Sequence, residues 1–106
     1  MSLSVTLYKE NDVVFDYNIT HNLNEMAEKC GMYYAMWRPE EIGIIYARDL
    51  IPFLRAGLFL LRSDKYRFVE YEAKNGWGKI DTLIDFTEKY LMACILYPDA
   101  EIDVRR

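Results

Sequence analysis

The sequence predicts an α+β fold: a small antiparallel sheet, made of an N-terminal hairpin and a C-terminal strand, covered by three main helices. Residues 3–8 and 101–105 alternate between apolar and polar side chains, as strands with one buried face do. Residues 48–62 and 80–97 instead repeat apolar side chains at helical spacing. A chain of 106 residues has the usual size of one domain, so residues 1–106 are expected to share a single core.

The first two strands form the predicted hairpin. In the first strand, apolar Leu3, Val5 and Leu7 alternate with polar side chains. Residues 13–19 are rich in β-branched and aromatic side chains, and the turn formers of residues 9–12 separate the two strands. Because a lone hairpin is marginal in water, the C-terminal strand is expected to pair with it and complete a three-stranded sheet.

Helix one is predicted to begin at Asn22, whose side chain caps the helix while Glu25 completes a capping box. Gly31 is expected to end this helix, since glycine readily takes the left-handed conformation. Residues 32–37 then allow at most two helical turns, because the residue before Pro39 is driven out of the helical region.

Helices two and three complete the predicted helical layer. Helix two starts near Asp49, because Pro52 is tolerated only within a first helical turn. The connector at residues 63–78 is expected to hold one further turn of helix. Helix three follows and ends before Pro98.

Composition and charge indicate a folded chain and argue against a nucleic-acid partner. Apolar residues make up 52% of the chain, far above the composition of a disordered segment. The net charge of −4 lacks the basic footprint of a nucleic-acid binder, so no nucleic-acid partner is predicted. Residues 47–79 are locally basic, with seven basic and four acidic groups. They form either a basic face toward an acidic partner or, in the favoured interpretation, a solvated helix surface.

Neither a membrane span nor a secretion signal is expected. The longest apolar run, residues 56–61, is far short of the ~20 residues that a bilayer requires. The N-terminus lacks the basic start and the long apolar stretch of a secretory signal. Cys30 and Cys94 occupy apolar helix positions and are too few for a disulfide-stapled scaffold. The sequence therefore predicts a cytoplasmic protein.

The densest polar cluster comprises Asn18, Thr20, His21 and Asn22 and lies where strand two meets helix one. Backbone amides at such a junction bind anions, which makes the cluster a candidate ligand site. In the alternative interpretation, which is favoured, these side chains only shape the turn, cap the helix and bond locally. Because His21 is the only histidine, a catalytic base working near neutral pH is expected to be this residue.

No cofactor or metal is predicted. His21, Asp16 and Glu25 offer mixed nitrogen and oxygen donors, but their spacing matches no zinc or calcium signature. No serine or cysteine stands in a nucleophile motif, and Cys30 lies on a predicted buried face, where a thiol is inert. The sequence therefore favours a non-catalytic protein over an enzyme.

The second candidate ligand site is the string at residues 75–78, which contains Asn75 and Trp77 between glycines. Its glycine spacing does not match a phosphate-binding loop. In the favoured interpretation, Trp77 fills the core beside helix three. In the other, Trp77 and Trp37 line an aromatic pocket that binds a ligand.

The aromatic segment at residues 32–37 predicts an interaction surface. So many large side chains cannot all turn inward from a short helix, so some are expected to be exposed or to cover a second subunit. The predicted surface consists of Tyr33, Tyr34, Met36, Trp37 and Arg38. It favours a non-catalytic interaction module with a protein partner or a homo-oligomer. The alternative is a small ligand-binding protein or enzyme that uses the polar cluster.

Four short strings stand out in order along the chain. They are Asn18-Ile19-Thr20-His21-Asn22, Trp37-Arg38-Pro39-Glu40-Glu41-Ile42-Gly43, Asn75-Gly76-Trp77-Gly78 and Tyr97-Pro98-Asp99-Ala100. Together they resemble a set of small bacteriophage and prophage-type proteins of unknown function, and the likeness spans most of residues 14–106. The resemblance implies a bacterial cytoplasmic setting and a phage-related role. It transfers no activity and no catalytic residue.

Overall fold

The fold agrees with the predicted α+β class. The computed structural model describes residues 2–72 and 78–106. Its strands are β1 (Ser2–Lys9), β2 (Asp12–Thr20) and β3 (Glu101–Arg105). Its helices are α1 (Asn24–Lys29), α2 (Tyr33–Trp37), α3 (Ile51–Ser63), α4 (Lys65–Val69) and α5 (Ile80–Leu96). Within these ranges, 3₁₀ turns span His21–Leu23, Pro39–Ile42 and Ala47–Leu50.

The sheet has β1 in the middle, in the order β2-β1-β3, and both neighbours run antiparallel to it. Glu10 and Asn11 join β1 to β2 with φ angles of 53° and 71°. Two consecutive left-handed residues are typical of a type I′ hairpin turn. The β1–β2 register shifts between Leu7 and Tyr8, where a β-bulge bends the ladder. The predicted hairpin and its pairing with the C-terminal strand are both confirmed.

The predicted capping of helix one by Asn22 is wrong. Thr20 is the last extended residue, with φ −64° and ψ 138°, and its side chain accepts a hydrogen bond from the backbone N–H of Asn22. Asn22 already belongs to the 3₁₀ turn that follows, so it no longer stands at the boundary. The helix α1 begins later, at Asn24, without a side-chain cap. Gly31 ends this segment with φ +83°, as predicted.

The remaining helices follow the sequence pattern. The short α2 ends at Trp37, and Pro52 lies in the first turn of α3, where its missing N–H is harmless. In the described part of the connector, up to residue 72, one short helix, α4, is present, and α5 ends before Pro98. Within residues 2–72 and 78–106, no helix combines the length and apolar character that crossing a membrane requires.

The core forms where one face of the sheet meets α5. The side chains of Leu3, Val5 and Leu7 on this face of β1 are fully buried. The ring of Phe15 on β2 stacks on that of Tyr90 on α5, with centroids 5.6 Å apart and planes 7° apart. The edge strand β2 is thereby fixed to α5.

The helix α3 approaches the chain before α2 closely at Gly57. A Cβ atom on Gly57 would lie 2.3 Å from both Cγ and Sδ of Met32. Because Met32 is fully buried, its side chain has little free space into which to move. The absence of a side chain at Gly57 therefore sets how closely α3 packs on this part of the core.

Candidate functional site

The four residues of the predicted polar cluster do not form one site. Asn18 lies on the polar face of the sheet, where its amide donates to Oγ of Ser2 at 3.0 Å and to Oγ of Ser4 at 2.7 Å. Thr20 caps the 3₁₀ turn. The other two members of the cluster, His21 and Asn22, both line one surface cleft.

The imidazole of His21 is held at Nδ1 by a hydrogen bond from Trp37. The indole Nε1 of Trp37 donates to Nδ1 of His21 at 3.2 Å, and the side-chain amide of Asn24 lies 3.4 Å from Nε2. Because Nδ1 accepts the indole proton, the neutral ring is assigned its proton on Nε2, so Nε2 and the amide nitrogen of Asn24 are both donors and their contact is not a hydrogen bond in this tautomer. Asp16, considered above with His21 as a metal donor, instead accepts a hydrogen bond from Thr6 at 3.4 Å. His21 therefore connects the 3₁₀ turn to α2.

The cleft beside His21 has a volume of about 620 Å³. It is lined by His21, Asn22, Asn24, Glu25, Glu70, Tyr71 and Glu72. Three carboxylates against one imidazole give the lining an acidic character, which suits a cationic ligand better than an anion. Glu72 is partly engaged, because its Oε1 accepts the backbone N–H of Ile80 at the start of α5. The predicted site residues Asn75 and Trp77 lie outside the described residues.

The described residues offer no metal site and no reactive thiol. In residues 2–72 and 78–106, no group of three or more His, Cys, Asp or Glu side chains is placed to hold a metal ion. Cys30 and Cys94 are buried. Burial raises the pKa of the Cys30 thiol to about 11 and that of Cys94 to about 12. Both thiols are therefore protonated near neutral pH and are poor nucleophiles.

The aromatic segment is mostly internal, which corrects the predicted interaction surface. Met36 and Trp37 are fully buried, so neither contributes to an exposed patch. The Tyr33 ring stacks on Trp37 at 5.7 Å, and its hydroxyl accepts a hydrogen bond from Arg38 Nε at 3.0 Å. Tyr34 alone of the three aromatic rings is well exposed, at 51%. The prediction is wrong for Met36 and Trp37, because contacts with residues distant in the sequence cover them and helical spacing does not reveal such contacts.

A larger exposed apolar surface lies on α3 and α5, and we call it the α3/α5 face. It consists of Arg55, Leu58, Phe59 and Arg62 from α3 and of Glu88, Leu91, Met92 and Ile95 from α5. Phe59 is 69% exposed, Met92 57% and Ile95 44%. A groove of about 420 Å³ runs between the two helices, with mainly apolar walls that include Leu58 and Leu91.

The apolar surface continues from the α3/α5 face toward the sheet. Leu96, 63% exposed, lies beyond Met92 on α5. A second groove, of about 350 Å³, separates this part of α5 from β2 and includes Val14 and Phe15 in its walls. The outer side of α5 is thus bordered by two apolar grooves.

The sequence contained a signal for this surface in residues 90–97, which carry no charged side chain. Tyr90, Ala93 and Cys94 point into the core and are buried. The residues on the opposite side of the same turns are apolar too: Leu91, Met92, Ile95 and Leu96. A helix on the surface of a monomer normally has polar residues there. The sequence prediction considered only the inward apolar stripe of α5 and therefore missed the outward one.

The charges around the α3/α5 face differ in sign between the two helices. The only charged residues of α3 are Arg55 and Arg62. The charged residues of α5 are Asp81, Asp85, Glu88 and Lys89, three of them acidic. Arg62 forms an ion pair with Glu88 across the groove.

The acidic side of α5 is held in place by neighbouring groups. The Tyr17 hydroxyl donates to Oδ2 of Asp85 at 2.7 Å, and Lys89 Nζ lies 2.9 Å from the same oxygen. The hydrogen bond from Tyr17 and the ammonium of Lys89 lower the pKa of Asp85. Asp85 is therefore ionised at neutral pH, and α5 presents negative charge beside its apolar half.

The locally basic segment contains several ion pairs on its surface. Lys65 Nζ lies 2.7 Å from Asp81 Oδ1. Arg67 lies 3.9 Å from Asp64. These exposed pairs, together with the one between α3 and α5, agree with the favoured interpretation of a solvated helix surface rather than a uniformly basic face.

Neither a protein-family model, nor a curated protein, nor a solved structure matches the chain.

Proposed function

We propose that this chain is a non-catalytic protein-binding module, of the bacteriophage or prophage type that its four sequence strings resemble. It binds its partner through the α3/α5 face. The observation that supports this proposal is the exposed apolar half of α5, where residues 90–97 are apolar on the buried and the outer side alike. A helix that is apolar all round is normally covered on all sides.

The exposed apolar residues of the α3/α5 face differ from isolated ones elsewhere. Single exposed apolar side chains are common on protein surfaces and carry no functional meaning. Ile45, for example, is 59% exposed beside β3. Phe59 and Leu91 instead line the groove between α3 and α5, Met92 lines the second groove on α5, and Ile95 lies one turn after Leu91 on the same helix. A clustered apolar surface with charged residues at its border is typical of a protein interface.

The state of the polar residues also favours binding over catalysis. The Nδ1 atom of His21 is engaged by the indole of Trp37, and Cys30 and Cys94 are buried and protonated. These are the side chains that acid–base or nucleophilic chemistry would use first. Their present contacts serve the packing of the domain.

Affinity capture with matched variants tests the proposal. The wild-type chain, Phe59→Asp and Ile45→Asp are immobilised and exposed to a lysate of phage-infected bacteria. Both substitutions place a carboxylate on a well-exposed apolar position, so the fold is expected to survive each. We expect wild type and Ile45→Asp to retain the same proteins and Phe59→Asp to lose them. Equal retention by all three chains would contradict a role for the α3/α5 face.

A second candidate function is the binding of a small cationic ligand in the cleft beside His21. The acidic lining formed by Glu25, Glu70 and Glu72 favours it. Because His21 is the only histidine, its imidazole proton resonances report directly on this cleft. We expect a polyamine such as spermidine to shift these resonances in a saturable titration. Unchanged resonances at millimolar spermidine would remove this candidate.

A further inference from the structure

We infer that the partner at the α3/α5 face is a second copy of this chain, which gives a two-fold symmetric homodimer. The inference rests on the proposed function, since it names the occupant of the same face. A two-fold axis that lies in the face, between the two helices, puts α3 of each copy over α5 of the other. The same contact is then made twice, as an isologous interface requires.

The charges favour this arrangement over contact between like helices. In the α3/α5 face, α3 contributes only the basic residues Arg55 and Arg62. The face of α5 contributes the acidic residue Glu88. Arg62 already forms an ion pair with Glu88 in its own chain, so crossing α3 with α5 of the other copy brings each Arg62 beside the other copy's Glu88 as well, twice in the dimer. Among the described residues, no carboxylate of the same chain forms an ion pair with Arg55, so its guanidinium is available for a partner.

The apolar residues match the same geometry. Phe59 projects from α3, and the groove beside Leu91 offers about 420 Å³, ample space for a phenyl ring. With the two-fold arrangement, Phe59 of each copy meets the apolar outer side of the other copy's α5. Both copies then remove exposed aromatic and aliphatic surface from water.

The available area is sufficient for a specific dimer. At about 200 Å² for a large side chain, the exposed parts of the eight residues of the face come to roughly 600 Å². Covering them on both copies removes roughly 1,200 Å² from water, which exceeds the ~1,000 Å² that a specific interface requires. An interface of this area lies at the small end of the range for specific interfaces, so we expect a weak dimer that must be tested at micromolar concentrations and above.

Sedimentation equilibrium from 1 to 500 µM tests the homodimer with the purified full chain. We expect the wild type and the control Ile45→Asp to dimerise with dissociation constants that agree within threefold. Phe59→Asp is expected to raise the dissociation constant at least 100-fold, because each dimer would bury two unpaired carboxylates. A wild-type chain that stays monomeric over this range, or equal association of all three chains, would overturn the inference.

A charge-exchange experiment tests the crossing of α3 with α5. Arg62→Glu and Glu88→Lys are each expected to weaken their own homodimer about tenfold, because like charges then face each other. When the two variants are mixed, one contact of the mixed dimer pairs the two substituted side chains with their charges exchanged. The other contact keeps the original arginine and glutamate, so we expect the mixed dimer to recover wild-type affinity within threefold. A mixed dimer no tighter than the homodimers would overturn the crossed arrangement.

The two proposals fail in different ways. If the chain stays monomeric while Phe59→Asp still abolishes the capture of bacterial proteins, the binding function stands and the homodimer is wrong. If the chain dimerises through the face and captures no other protein, the homodimer is supported and the chain itself is the partner. If neither association nor capture depends on Phe59, both proposals are wrong.

Discussion

The hydrogen bond between Trp37 and His21 joins the predicted interaction surface to the predicted polar cluster, which the sequence analysis considered separately. The indole N–H of Trp37 donates to Nδ1 of His21 at 3.2 Å, and the two rings meet edge to face at 6.1 Å. Trp37 is fully buried, so water cannot replace His21 as the acceptor. His21, from the predicted ligand site, thus accepts the hydrogen bond of Trp37, from the predicted interaction surface. At this scale, both side chains serve the fold.

This contact leads to a prediction for His21→Ala. The change leaves the buried N–H of Trp37 without an acceptor, and we expect the free energy of unfolding to fall by about 1–2 kcal/mol. Trp37→Phe removes the donor and also shrinks a core ring. In a double-mutant cycle measured by urea denaturation, the two changes are expected to be coupled by at least about 0.5 kcal/mol. Strictly additive losses would mean that the hydrogen bond does not stabilise the domain.

Removal of the hydroxyl of Tyr90 is expected to stabilise the domain. It is completely buried, and no hydrogen-bond partner for it exists among the described residues. Its ring stacks on Phe86 at 5.4 Å and on Phe15 at 5.6 Å, contacts that a phenylalanine would keep. Because an unpaired buried hydroxyl costs about 1–3 kcal/mol, we expect Tyr90→Phe to raise the unfolding free energy by about 1 kcal/mol.

The matched control is the same change at Tyr17, whose hydroxyl donates to Asp85 at 2.7 Å. Tyr17→Phe loses a hydrogen bond to a charged group and is expected to lower the midpoint of urea denaturation. Each substitution removes one oxygen atom, so comparing them separates the effect of hydrogen bonding from the effect of side-chain size. A midpoint that falls in Tyr90→Phe would show that its hydroxyl has a stabilising partner after all.

At the scale of elements, local sequence patterns predicted the fold well where local interactions decide it. The left-handed turn residues Glu10 and Asn11 closed the predicted hairpin, and Pro52 marked the first turn of α3. The cap at Asn22 was missed because Thr20 offers the same chemistry two residues earlier. Which of the two caps the turn depends on where β2 stops pairing with β1, and that is a tertiary property.

Burial around α2 could not be predicted from the same patterns. A five-residue helix has too little periodicity to show which of its sides are covered. Its rings are covered by contacts distant in sequence, such as the one between His21 and Trp37. The outer apolar side of α5 was a different failure, since residues 90–97 show it directly in the sequence.

The packing of α3 against the core predicts an unusual cost for a glycine-to-alanine change. In an exposed helix, Gly→Ala is stabilising by about 1 kcal/mol. At Gly57 the added Cβ would overlap the buried side chain of Met32, so we expect a net loss of about 1–3 kcal/mol in the free energy of unfolding. The measurement is urea denaturation of Gly57→Ala alone and in a Met32→Ala background. Space opened by Met32→Ala is expected to remove the loss at Gly57, and an unchanged loss would contradict this source of strain.

For the whole molecule, the distribution of charge and apolar surface matters more than the net charge. The net charge of −4 argued against nucleic acid at the sequence level and gave no information on how the charges are distributed over the surface. The structure separates basic α3 from acidic α5 beside one apolar groove. This separation makes the α3/α5 face complementary to itself once it is turned about a two-fold axis. Association and stability of the chain are therefore expected to be linked.

That linkage predicts how the melting temperature depends on protein concentration. If native chains dimerise and unfolded chains do not, higher concentration favours the native dimer by mass action. For a chain of this size that is mostly dimeric, each tenfold rise in concentration is expected to raise the melting temperature by about 3 °C. Differential scanning calorimetry of the wild type and Ile45→Asp is expected to show this rise. Phe59→Asp, which keeps the fold but not the dimer, is expected to melt at one temperature at all concentrations. A concentration-independent wild type, or a rise that persists in Phe59→Asp, would show that native stability is not linked to association through this face.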